Sequence, residues 1–328
     1  MRKQSAFFWI LSFFLIGSFF SCQKASPDTP LIEEEVFPVL GHDAPYSSTT
    51  TYFGRNRYVE YYPGDLPIVF SAPHGGAELP AEIPNRTYGT LVNDANTKEL
   101  TKAIMYALQT AYGGRPHVII NNLDRKKMDA NRELTEAAQG NLYAERAWEE
   151  FQFYIETAKN KVIQDFEYGL FIDLHGHGVN PDGFYDLRIW LGYLLTAEEL
   201  NKSDDQLDTT SYQNKSSIRT LARVSPESFV EVLRGPNSMG DLLEASGYGS
   251  LPSTQSPSPN GMRYFSGGFN TLKHGSSTNA GRISAIQFEL PRPGVRELAS
   301  ERTAFANALT SILASYFEVH YDMTLDQN

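Results

Sequence analysis

Apolar residues recur along this chain with two different periods. Residues 67–72 (PIVFSA), 169–174 (GLFIDL) and 283–290 (ISAIQFEL) are short runs rich in β-branched and aromatic side chains, as in strands buried on both faces. Residues 57–62, 117–121 and 187–194 read as further strands. Between them, 96–112 carries Leu100, Ile104 and Leu108 at helical spacing and stops at Gly113 and Gly114. Residues 133–166 read as a long helix broken near Gly140, and 297–321 as an amphipathic C-terminal helix. Residues 196–280 are irregular, with short helices near 226–247 and a Ser/Pro/Gly-rich loop at 249–260. Strands alternating with helices predict an α/β three-layer sandwich around a mostly parallel, mixed central sheet. In such a sheet, sites gather at the carboxyl ends of the strands.

Composition narrows the chemistry. The chain has 328 residues, 41% of them hydrophobic, with 28 Lys+Arg against 39 Asp+Glu and a formal charge of −11. That is enough apolar material for one sizeable core. The acidity argues against nucleic acid as a partner, which would demand a basic surface. A single cysteine, Cys22, excludes an intramolecular disulfide and any thiolate-rich metal site. Arg2 and Lys3 followed by the mainly apolar run 6–20 form a signal-peptide pattern, too short for a bilayer-spanning helix. Ser21-Cys22 then resembles a bacterial lipoprotein cleavage site, with Phe19 standing where the usual pattern has Leu. Residues 1–22 are therefore expected to be an address and 23–45 a solvated spacer. Residues 46–325 are expected to form one catalytic domain, held outside the cytoplasm by a lipid anchor at Cys22.

Three predicted strands end in polar clusters. The stretch SAPHGG presents His74 beside two glycines, and FIDLHGHG presents Asp173, His175 and His177. AIQFELPRPGVR places Glu289 inside an otherwise apolar strand. A carboxylate in an apolar strand is costly unless it has a partner. A metal or a catalytic water supplies one: two imidazoles and a carboxylate make a catalytic zinc shell, and a further carboxylate serves as general base. A fourth cluster, NNLDRKKMDANRE, sets Arg125, Lys126, Lys127 and Arg132 in an acidic chain, a natural grip for an anionic substrate group.

The order PHGG, DRKKMDANR, DLHGHG, IQFEL resembles the N-formylglutamate amidohydrolase family. More distantly it is similar to the zinc carboxypeptidases and aspartoacylase-type deacylases, which share a phosphorylase/hydrolase-like α/β fold. Arg125, Asp129, Asn131 and Arg132 match the family's Arg-x5-Asn-Arg segment position by position. The resemblance covers roughly residues 65–300 and departs at the carboxylate ligand. The carboxypeptidase pattern His-x-x-Glu would put a glutamate where Ala77 stands, with Glu78 one residue later. Asp94, opening the next predicted helix, is preferred as ligand over Glu78, although an aspartate there also suits a plain helix cap.

The resemblance implies a zinc-dependent amidohydrolase of N-acyl amino acids or related carboxylated substrates. His74, Asp94 and His175 would hold the metal. Glu289 would be the general base, Arg125 would stabilise the oxyanion, and Asn131 and Arg132 would bind the substrate carboxylate. Asp173 would orient a ligand histidine, and His274, in a Gly-rich segment, would border the cleft. A zinc carboxypeptidase, a peptidoglycan amidase and a non-catalytic surface lipoprotein binding a carboxylated ligand are the alternatives.

Overall fold

In the computed structural model, residues 36–178, 183–277 and 281–326 are described; the expected signal segment and Cys22 lie outside them. The chain divides into two compact units, Met1–Val39 and Leu40–Asn328, and the helices and strands among the described residues belong to the second.

Eight strands form one sheet: β1 Tyr52–Phe53, β2 Val59–Tyr62, β3 Ile68–Ala72, β4 His117–Asn121, β5 Gly169–Gly176, β6 Ile189–Gly192, β7 Ser250–Leu251 and β8 Ile283–Leu290. Their spatial order is β1-β2-β4-β3-β5-β8-β6-β7. The central four, β4-β3-β5-β8, run parallel. On the flanks, β1 and β2 pair antiparallel, β2 runs against β4, and β6 runs against β8. This is the expected mixed α/β sandwich. Helices Thr97–Tyr112 and Ala299–Tyr321 pack on each other and on one face, and Leu142–Phe166 covers the other. Among the described residues, no helix is long and apolar enough to cross a membrane.

The two faces differ, and the difference makes the site. On one face, Phe70, Ile120, Leu170, Ile172, Leu174, Ile286, Phe288 and Leu290 stay apolar to the carboxyl ends of the strands and join the larger core. On the other, Val69, Ile119, Phe171 and Ala285 are apolar at the amino ends, under Leu142–Phe166. Two residues on, the same rows read Ser71, Asn121, Asp173 and Gln287, all buried. Each buried Leu, Ile or Phe contributes about 1.5–3 kcal/mol, so the apolar ends anchor the sheet while the carboxyl ends carry polar groups.

Element boundaries follow local chemistry. The break in the long helix falls where Gln139 and Gly140 take left-handed backbone, at φ 51° and 79°. Asn141 then caps Leu142–Phe166 by accepting from the amides of Tyr143 and Ala144. Strand β2 starts later than the sequence predicts, because Asn56 and Arg57 turn at positive φ. The 249–260 stretch read as loop contributes the two-residue strand β7, and the short helices Ala197–Leu200 through Thr210–Lys215, together with Phe269–His274, carry too little periodicity to be foreseen.

Candidate metal centre

Strand β3 has β4 on one side and β5 on the other, so the chain reverses direction of growth there, where α/β sheets place their sites. The PHGG turn leaves β3 at this point. Its glycines are required by close approach: a Cβ on Gly75 would lie 2.5 Å from the Lys98 backbone nitrogen, and one on Gly76 only 2.2 Å from the Asn122 carbonyl carbon. The Asn121 amide donates to the Pro73 carbonyl at 2.8 Å and pins the turn to β4.

His74 therefore points across the strand ends at His175, on the last turn of the pleat in β5. Their Nδ1 atoms are 3.1 Å apart, and Oδ2 of Asp94 lies 3.2 Å from each. All three side chains are buried. Asp94 stands just before helix Thr97–Tyr112, but its side chain makes no cap; its backbone carbonyl receives Thr97 instead, freeing the carboxylate for the histidines. Glu78, the other expected ligand, is exposed on the bridge to Leu123 and takes no part.

The opposite imidazole nitrogens are both held by carboxylates. Nε2 of His74 lies 2.6 Å from Asp129, and Nε2 of His175 lies 2.7 Å from Asp173. Asp129 and Asp173 are acceptors when ionised, so each Nε2 carries its proton and each Nδ1 presents a lone pair. Two lone pairs and a carboxylate oxygen thus converge at about 3.1–3.2 Å. They repel unless a proton or a cation stands between them. Burial alone would lower the His175 pKa, yet Asp173, Asp94 and Glu289 around it raise it to about 10, so the place attracts positive charge. Ligands on a tetrahedral ion with bonds of ~2.0–2.1 Å sit ~3.3 Å apart. The three residues can hold such a metal ion, with a carboxylate behind each histidine as metal-binding imidazoles usually have.

Asp173 was expected behind a ligand histidine, and Asp129 was not. Asp129 joins His74 to the Arg cluster, since its second oxygen accepts from Arg125 Nε at 2.9 Å. Glu289 pairs with His175 across β5 and β8 and accepts from Gln287 at 2.8 Å. Burial and the neighbouring Asp94 charge push its pKa up to about 7, against the pull of His175. Gln287, two residues back on the same face, was not singled out; its place in the strand alternation is the signal.

A cavity of about 490 Å³ opens over this group, lined by His74, Asp94, Arg125, Asn131, Arg132, His175, His177 and Glu289 among others. Asn131 is nearly spent on structure: its Oδ1 accepts from the Asn270 amide at 2.8 Å and its Nδ2 sits 3.3 Å from His175. Arg132 is more available, bonded to Glu136 and its neighbour's carbonyl while a third of its side chain stays exposed.

His274 corrects the sequence expectation. It ends helix Phe269–His274, and both ring nitrogens are taken at 2.8 Å, by Glu156 and by Gln152, both from helix Leu142–Phe166. Its helix turns it down into the packing layer, away from the cavity lining.

No family model matches the chain, and no curated protein sequence matches it. Among solved structures it is similar to the N-formylglutamate amidohydrolase of Ralstonia eutropha JMP134, with a TM-score of 0.47 and 14% identity, over 80% of this chain and 98% of that one. It is also similar to a metallo-carboxypeptidase of Pseudomonas aeruginosa (TM-score 0.39, 11% identity, 83% of this chain and 64% of that one). A third is the catalytic domain of an N-acetylmuramoyl-L-alanine amidase from Paenibacillus polymyxa (TM-score 0.32, 11% identity, 77% and 98%). The likeness is one of fold.

Proposed function

We propose that this cavity is the active site of a zinc-dependent amidohydrolase acting on an N-acyl amino acid or a related carboxylated amide. The observation that carries the reading is the convergence of His74 Nδ1, His175 Nδ1 and Asp94 Oδ2, with Glu289 beside them. Zinc held by these residues supplies Lewis acidity, polarising a carbonyl and lowering the pKa of water from ~15.7 toward ~7. Glu289, with a pKa raised to about 7, is tuned to take a proton from water and pass it to the departing amine. Arg125 is braced by Asp129 and by the Val92 carbonyl, and faces the charge that develops on the scissile carbonyl oxygen. Arg132 receives the substrate carboxylate, with Asn131 shaping the floor beneath it.

A ligand-binding protein without catalysis has no use for a buried carboxylate of raised pKa beside a metal site. A carboxypeptidase or cell-wall amidase would use the same centre on a larger substrate. Metal analysis of purified protein, followed by a turnover screen of N-acyl amino acids, peptides and cell-wall fragments, tests the reading. One equivalent of zinc and release of a free amine support it; absence of metal with no gain on adding zinc sinks it. We further propose that the protein acts outside the cytoplasm, tethered through lipidated Cys22, because the leader pattern ends on that cysteine. Retention of a Cys22→Ser variant in the membrane fraction would count against the anchor.

A further inference from the structure

Five guanidinium groups line the cavity: Arg125, Arg132, Arg263, Arg292 and Arg296. They differ in how many of their donors are already used. Arg296 is buried and spends its nitrogens on the carbonyls of Leu290, Ala95 and His177, tying the end of β8 to β5 and to the Asp94 segment. Arg125 is committed to Asp129 and Val92, and Arg132 is partly committed to Glu136. Arg263 is exposed and stacks on the Phe265 ring at 4.7 Å, and among the described residues no carboxylate pairs with it. Among the described residues, the Arg292 guanidinium pairs with Glu297 alone, at 3.5 Å, with both side chains about half exposed.

Sheet order places these groups. Arg125 and Arg132 follow β4, His74 follows β3, His175 ends β5 and Glu289 ends β8. Arg292 comes just after β8. Arg263 lies beyond it, beside β6, because Tyr264 donates to the Leu191 carbonyl at 2.6 Å and the Leu194 amide donates to Ser266. A substrate lying across the strand ends thus meets cations, then the metal ligands and base, then cations again. Phe265 adds an apolar surface on the far side.

We infer that Arg263 and Arg292 form a second anion subsite, on the acyl side of the scissile amide. The inference rests on the hydrolase reading, in which Arg125 faces the scissile carbonyl oxygen and Arg132 takes the carboxylate of the amine half. The substrate class is then an amide charged on both halves: an amino acid acylated by a dicarboxylic acid, or an acidic peptide, and not one whose acyl group is as small as formyl. In a chain of net charge −11, cations that among the described residues are unpaired (Arg263) or only loosely paired (Arg292) at a cavity mouth select anions by contact, against the long-range field.

The test compares N-succinyl-L-glutamate with N-acetyl-L-glutamate, which share the amine half and differ in acyl charge. Zinc-loaded protein should prefer the succinyl compound in kcat/KM by about tenfold, equivalent to one charge-assisted contact, and chiefly through KM. In the Arg263→Ala/Arg292→Ala double variant the ratio should fall toward one. The Arg263→Lys/Arg292→Lys variant, which keeps the charge, should retain part of it. Equal use of both compounds, or a preference surviving the alanine variant, overturns the subsite. If neither compound is turned over, the hydrolase reading is what fails for them. Calorimetric binding of the two compounds to zinc-loaded Glu289→Gln protein then reads the same ratio, and no difference there overturns the subsite by itself.

Discussion

Nδ1 of His74 faces Nδ1 of His175 at 3.1 Å, while each ring's other nitrogen is held by a buried carboxylate, Asp129 or Asp173. Two imidazoles whose protons are fixed on their outer nitrogens cannot hydrogen-bond to each other. The pair is stable only with positive charge between the rings. Zinc should therefore stabilise the fold, by about 2.7 kcal/mol at a hundredfold excess over its Kd. Thermal unfolding with and without a chelator measures this. In His74→Ala the metal-dependent shift in Tm should vanish; a shift of wild-type size in that variant would place the metal elsewhere.

The carboxylates behind the histidines set ligand orientation and basicity. Asp129→Asn and Asp173→Asn should each weaken zinc about 10–100-fold in competition with a chromophoric chelator, with the fold kept. Asp129→Asn should also lower kcat, because Arg125 loses its brace. Unchanged affinity in both variants would mean that these contacts only pack the site.

Glu289→Gln keeps the shape of the side chain and removes the proton acceptor. Turnover should drop about 10²–10⁴-fold while zinc stoichiometry stays at one. Wild-type rates in this variant would exclude Glu289 as the base.

The PHGG turn tolerates no side chain at its second glycine. Gly76→Ala forces a carbon to within 2.2 Å of the Asn122 backbone, a clash that cannot be relieved by rotating a side chain. The expected cost is about 3 kcal/mol, the upper end of ordinary overpacking. Urea unfolding reads it directly, and a loss under 1 kcal/mol (about the smallest overpacking penalty) would show that β3 and β4 can separate at this end.

His117 gives the fold a pH dependence of known sign. Its Nδ1 accepts from the Gly64 amide and meets the Tyr61 hydroxyl, both at 3.0 Å, so the buried ring is neutral, and burial lowers its pKa to about 3. A pKa below the unfolded value of ~6.5 means that the unfolded chain binds the proton first. This stability is complete above pH ~6.5 and declines as pH falls toward 3, by up to about 1.4 kcal/mol per unit. His117→Gln should be less stable at pH 7 yet show a flatter decline between pH 6.5 and 5, where Glu289, with a pKa of about 7, contributes equally to both proteins. Parallel declines in the two proteins would contradict a neutral His117.

Much of the architecture was legible because the central strands are buried on both faces. Short apolar runs rich in β-branched and aromatic residues, such as PIVFSA, read as strands of a covered sheet, and helices Thr97–Tyr112 and Leu142–Phe166 carry their own periodicity and stop signals. Of the short helices between β6 and β8, Phe229–Arg234 and Met239–Ala245 were legible, while Ala197–Leu200, Asp204–Leu207, Thr210–Lys215, Leu221–Val224 and Phe269–His274 were not. Pieces of four to six residues are held by contacts with the rest of the molecule, and their own sequence states little.

The same division holds at the site. Residue types and strand ends alone singled out His74, His175, Glu289 and the Arg125–Arg132 segment as candidates, because polar residues placed in apolar strands cost free energy unless something uses them. Proximity in space settled the rest. The packed structure set Asp94, the carboxylate preferred from the sequence, against both histidines, turned His274 onto Gln152 and Glu156, set Asp129 behind His74, and left Arg263 and Arg292 without full partners among the described residues at the cavity mouth. Local sequence records which way a side chain leaves its own strand or helix. Which groups then meet depends on strand order and register, and those are properties of the whole sheet.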